Sequence, residues 1–187
     1  MRSVTLTALA LCALALPASA EVVQSPSARL AALPEPLQVY AVNCVASMTM
    51  SAENVRKRLS SDPAAMAYTP EQTAQFLGEN PGQAWGFRGK GSTYAVALAD
   101  SGTCMVFAAT AKHEGVIPAL DTLLDTLFPG IGREALSPPL PENERTSSRV
   151  YALGLAGHPI AGVTVNSDPQ YNFSVRMVLV PPRQPEG

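Results

Sequence analysis

Apolar and polar positions alternate most cleanly between Thr93 and Ala109. Tyr94, Val96 and Leu98 fall on one side of an extended chain, and Ala95, Ala97 and Ala99 on the other. A second run sets Cys104, Val106 and Ala108 against Met105, Phe107 and Ala109. Asp100-Ser101-Gly102 lies between the two. Asp and Ser suit the right-handed positions of a type I turn, and Gly takes the left-handed position that follows. The pattern predicts a hairpin with a short loop. One face of that hairpin carries large side chains and the other mostly Ala, which leaves room for a close-packed helix on the Ala side. A shorter strand is expected at 84–88, joined to the hairpin by Gly89-Lys90-Gly91.

Elsewhere the period is helical. After Pro34-Glu35-Pro36, the residues Leu37, Tyr40, Ala41, Cys44, Val45 and Met48 recur at three- and four-residue steps and make one apolar face that includes Cys44. The stretch 50–59 either continues this helix or restarts at Ser51, with Val55 and Leu59 inward and Arg56-Lys57-Arg58 read as a solvated face. Thr69-Pro70-Glu71-Gln72 is a helix start with a capping box, and Gly78 stops that helix. Val116, Ile117, Leu120, Leu123, Leu124, Leu127 and Phe128 define the most periodic helix, with Asp121 and Asp125 outside its stripe. The segment 137–144 contains three prolines and reads as a surface loop. Three further strands are expected at 149–155, 160–165 and 172–180.

The order is helices, two or three strands, one crossing helix, then three strands. Hairpin-length links imply antiparallel pairing. The expected fold is α+β, with N-terminal helices and the crossing helix packed on an antiparallel sheet of five or six strands. That layout is compatible with profilin-like or PAS-like sheets, folds that host many functions.

The N-terminus changes the picture of where this happens. Arg2 is followed by an apolar run at 4–16, about a dozen residues and too short to span a bilayer as a helix. Pro17-Ala18-Ser19-Ala20 has the small residues of a signal-peptidase site. Residues 1–20 are therefore read as a signal peptide cleaved after Ala20, 21–34 as a flexible arm, 35–181 as one domain and 182–187 as a disordered tail. The mature chain would be periplasmic or secreted, with no transmembrane anchor. Of the three cysteines, cleavage removes Cys12, and an exported chain left with Cys44 and Cys104 is expected to join them. The bond would close a loop of about 60 residues and contribute roughly 4 kcal/mol. It would also pin the first helix to the middle of the sheet.

Charge excludes some partners. Cleavage takes the formal net charge from −2 to −3, an ordinary acidic surface that argues against nucleic acid. The two histidines, His113 and His158, stand alone, and no metal-ligand spacing occurs, so neither a metal nor a cofactor is expected. Ser101, His158 and Asp168 supply the residue types of a hydrolytic triad, but no nucleophile-elbow motif accompanies them. The segment Gly86-Phe87-Arg88-Gly89-Lys90-Gly91 has the make-up of an anion cradle, with backbone N–H groups and two cations together. Trp85 and Phe87 flank it as apolar contacts. The reading from sequence is thus a non-enzymatic module that binds another envelope protein or a small anionic ligand through Trp85, Phe87, Arg88 and Lys90. The competing reading is a small exported hydrolase using His158 or His113.

Overall fold

The computed structural model describes residues 25–112, 114–137, 145–168 and 172–182. The leader and most of the expected tail lie outside the described residues. The elements are α1 (Pro26–Ala31), α2 (Glu35–Asn43), a 3₁₀ turn (Val45–Met48), α3 (Ala52–Ser61), β1 (Met66–Ala67), α4 (Pro70–Leu77), β2 (Gly82–Arg88), β3 (Thr93–Ala99), β4 (Cys104–Ala108), α5 (Val116–Leu127), β5 (Arg133–Leu136), β6 (Thr146–Leu153), β7 (Ile160–Asn166) and β8 (Val175–Val180).

The strands form a single sheet in the order β1-β2-β3-β4-β8-β7-β6-β5, and every neighbouring pair is antiparallel. Two four-stranded meanders thus meet where β4 pairs with β8. The α+β class and the antiparallel sheet are as expected, but the sheet has eight strands, not five or six. The additional pair are the edge strands β1 and β5, two and four residues long. Runs that short show no alternation to detect, and only pairing with a neighbour makes them strands. Residues 25–33, read from sequence as part of a loose arm, hold α1: Ser25 Oγ caps it by accepting from Ala28 N–H, and Leu33 beyond it is buried.

One face of the sheet carries the large side chains. Trp85, Tyr94, Val96, Leu98, Val106, Val163, Met177 and Leu179 are buried there with Leu37, Tyr40, Val55, Leu120 and Leu123 of the helices. Helix α2 lies over β4 and β8, α3 over β2 and β3, and α5 over β7. Tyr40 is fully buried and donates its hydroxyl hydrogen bond to Val178 O at 2.9 Å. Burial pushes its phenol pKa well above the ordinary value. The disulfide joins Cys44, the C-cap of α2, to Cys104, the first residue of β4, with Cα atoms 5.3 Å apart. The first long helix is thus tied to the sheet as the sequence predicts.

The reverse face of β2 and β3 is lined by Ala84, Ala97 and Ala99, and α4 closes onto them through Leu77. A Cβ placed on Gly82 would lie 2.3 Å from Leu98 O of the paired strand and 2.6 Å from Leu77 Cδ1, so glycine fits between β3 and α4 where a side chain would not. The capping box is present: Thr69 Oγ1 accepts from Gln72 N–H and Gln72 Oε1 accepts from Thr69 N–H. In the β3–β4 loop Gly102 has φ +86°, and its N–H donates to Ala99 O at 2.9 Å. Two of the three basic residues in α3 are structural rather than solvated. Arg56 pairs with Asp100 of that loop at 2.5 Å, and Arg58 donates to Asn43 O at 3.3 Å. At the other end, Arg133 of β5 reaches Asp125 at 2.9 Å, and Tyr151 donates to Asp121 at 2.7 Å. Those two α5 acids lock the crossing helix to the β5–β6 edge.

Candidate functional site

The predicted contact residues divide. Trp85 is fully buried, so it is a core residue and not part of a contact surface. Strand alternation explains the correction: Trp85 pairs with Val96 and shares its helix-covered face. Phe87, two residues on, is partly buried against the same core. Arg88 and Lys90 are exposed.

The loop between β2 and β3 does cradle a carboxylate, and the carboxylate is the protein's own. Glu35, the first residue of α2, accepts from Lys90 N–H at 2.7 Å through Oε1 and from Gly91 N–H at 3.3 Å through Oε2. Tyr94 donates its hydroxyl hydrogen bond to Oε2 at 3.1 Å. The Lys90 N–H bond is the main reason that the Glu35 carboxyl lies below its usual range; partial burial opposes it, and the Tyr94 hydroxyl reinforces it. The Tyr94 phenol moves the other way, raised by burial and then by the adjacent carboxylate. With the Lys90 and Gly91 N–H groups bonded to Glu35, the exposed Arg88 and Lys90 side chains are what the loop presents to an acidic partner. A cleft of about 370 Å³ lies beside the clamp, lined by Glu35, Tyr94, Lys112 and Glu114 among others.

The residue types of a triad do not converge. Ser101 Oγ lies 3.2 Å from Thr103 Oγ1 within the β3–β4 loop. His158 is exposed in the β6–β7 turn with φ 46°, its N–H bonded to Leu155 O at 3.0 Å. Asp168 follows the far end of β7. A seven-residue strand separates the last two by roughly 20 Å. His113 lies outside the described residues. Among the described residues no group of three or more His, Cys, Asp or Glu side chains could hold a metal ion. A groove of about 530 Å³ between the start of α3, the β3–β4 loop and Val180-Pro181-Pro182 has Asp100 as its titratable group, and Asp100 is committed to Arg56.

The reverse face of β8, β7 and β6 is chemically richer. Register sets Phe107, Arg176, Thr164 and Ser148 in one row across β4, β8, β7 and β6. Asn166 and Thr146 form the next row. Ser148 and Thr164 share a hydrogen bond of 3.0 Å, and Thr146 Oγ1 lies 3.2 Å from Asn166 Oδ1. All four of these polar residues are buried. Toward β2 the row continues as rings: Tyr68 on Phe76 at 5.5 Å, Phe76 on Phe107 at 5.1 Å, and Phe107 edge-on to Phe173 at 5.9 Å. The Arg176 guanidinium sits 5.8 Å from the Phe173 ring. The two-residue period of β8 puts Arg176 on this face, but its neighbours depend on strand order.

These features define a class by architecture: a disulfide-bonded α+β domain with helices on one face of an eight-stranded antiparallel sheet and a single α4 on part of the other, among the described residues. No protein-family model, no curated protein and no solved structure matches the chain, so the profilin-like and PAS-like comparison gains no support.

Proposed function

We propose that the protein is exported and acts as a non-enzymatic binding module, and that the Arg88–Lys90 corner engages an acidic surface on another envelope protein. The leader pattern at 1–20 and the intrachain disulfide support the compartment. No helix among the described residues is long and apolar enough to cross a membrane.

The observation that carries the contact assignment is the Glu35 clamp. It fixes the β2–β3 loop from within while Arg88 and Lys90 stay exposed. A loop ordered before binding loses less entropy when a partner docks, and exposed cations steer an acidic partner and set its register. The test is affinity purification from the native envelope under non-reducing conditions. Arg88→Ala/Lys90→Ala should release a partner that the parent chain retains, and the exposed Lys57→Ala should retain it. Equal retention by all three chains removes the assignment.

A further inference from the structure

We propose that Arg176 anchors a second site, on the sheet face away from the helix layer, for a small carboxylate with an apolar or aromatic body. The site is independent of the Arg88–Lys90 corner. Arg176 is the second residue of β8, an interior strand with β4 on one side and β7 on the other. Its side chain is half-buried, and desolvation lowers its pKa. An arginine in such a place is ordinarily paired, because losing water without gaining a counter-charge is costly. Yet among the described residues no ion pair reaches Arg176, and its contact there is the Phe173 ring.

What surrounds the guanidinium tells which anion fits. The hydroxyls of Thr164 and Ser148 follow it in the same row, and they bond to each other rather than to Arg176. One row along, Asn166 is 2% exposed, and its Nδ2 has no hydrogen-bond partner. That amide is a buried donor left over, a state proteins rarely tolerate without an acceptor to meet it. A guanidinium fork, the Thr164 hydroxyl and a spare amide donor on one face make a receptor for an oxyanion. On the opposite side the row leads into Phe107 and Phe173. Their rings give an apolar ligand body a surface to stack on, while the carboxylate meets Arg176. Inorganic phosphate would use the donors and leave the rings unused, so the geometry favours an aromatic or apolar carboxylate.

Benzoate, acetate and inorganic phosphate are the probes, titrated into the disulfide-bonded mature chain with amide and arginine side-chain NMR as the readout. Benzoate should saturate, shifting Arg176 and Asn166 signals, and bind at least tenfold more tightly than acetate. Arg176→Gln should lower benzoate affinity tenfold or more. Phe173→Leu should lower it less, and Arg88→Ala should leave it unchanged. If Arg176→Gln does not fold, Arg176→Lys and Thr164→Val replace it, and each should weaken benzoate several-fold. Absence of saturable benzoate binding overturns the proposal, and so does binding that Arg176→Gln or its replacements leave intact. Phosphate binding as tightly as benzoate overturns the assignment of an apolar body.

Discussion

Two regions of one sheet are assembled from the same strands in opposite ways. On the helix-covered face, Trp85, Leu98, Met177 and Leu179 interdigitate with α2, α3 and α5, and a covalent bond reinforces them at Cys44–Cys104. On the reverse face, Ala84, Ala97 and Ala99 are so small that α4 rests almost on the backbone. Past β4 one end of that face carries hydroxyls and a guanidinium, and the rows beyond it return to Val178, Val150, Val180 and Ile160. The polar groups differ as well. Glu35 and Asp121, at the helix side, have their partners within the chain, whereas Arg176 on the reverse has an aromatic ring and no carboxylate among the described residues. The large apolar core and the covalent tie lie on one face, and the guanidinium without a carboxylate among the described residues lies on the other.

The strongest way to break this comparison is to cut the covalent tie. A bond between residues 60 apart removes chain entropy from the unfolded state, about 4 kcal/mol on the loop-closure model. Such a loss is a large share of a typical net stability of about 5–15 kcal/mol. Cys44→Ala/Cys104→Ala should therefore lower the urea midpoint sharply. A change below about 1 kcal/mol would mean that packing under α2 alone holds the helix layer and that the bond is incidental.

A substitution of opposite sense sharpens the contrast on the other face. Ala97 is fully buried under α4, and Leu there adds volume that neither the sheet nor the helix can absorb. Ala97→Leu should cost about 2 kcal/mol by overpacking. The same change at Ala152, half-buried on the same face but on β6, should cost well under that, because α4 packs on β2 and β3 and not there. Equal costs in chemical denaturation would show that the Ala stripe is not what seats α4.

How much of this was legible in the sequence follows from range. The β3–β4 loop, the α4 capping box and the α5 stripe are set by residues within a few positions of one another, and each stands where the pattern put it. The cysteine count, with one cysteine on a helix face and the other on a strand, is enough to join Cys44 to Cys104. What sequence could not show is pairing across the sheet. β1 and β5 exist only through β2 and β6. The juxtaposition of Arg176 with Thr164 and Phe107 needs β8 to lie between β7 and β4, which no local signal specifies. The Glu35 clamp bridges 55 residues to Lys90, so the glycines and cations reveal a cradle but not its occupant. For Trp85 the reason is related: the strand's period gives two faces but not which one a helix layer covers, and the fold puts it in the core.

The smallest effect concerns charge, and it separates the two faces most directly. Because the Glu35 carboxyl is held below its ordinary pKa when folded, chiefly by the Lys90 N–H, the folded state favours its ionised form. That contribution is complete above the unfolded value, about 4.3, and is lost as pH falls through the lower folded value. Glu35→Gln should thus destabilise at neutral pH by a small amount, since a half-exposed group is screened and the Gln oxygen can still accept from Lys90. The gap between the two chains should narrow as the pH drops below about 4. Without any ligand, Arg176→Gln should instead be neutral or slightly stabilising, because it removes a partly desolvated charge that no carboxylate among the described residues offsets. Urea midpoints of both variants from pH 7 to pH 3 decide the matter. A clear loss of stability in Arg176→Gln at every pH would mean that this guanidinium, like Glu35, is already satisfied within the fold, and the contrast between the faces would fall.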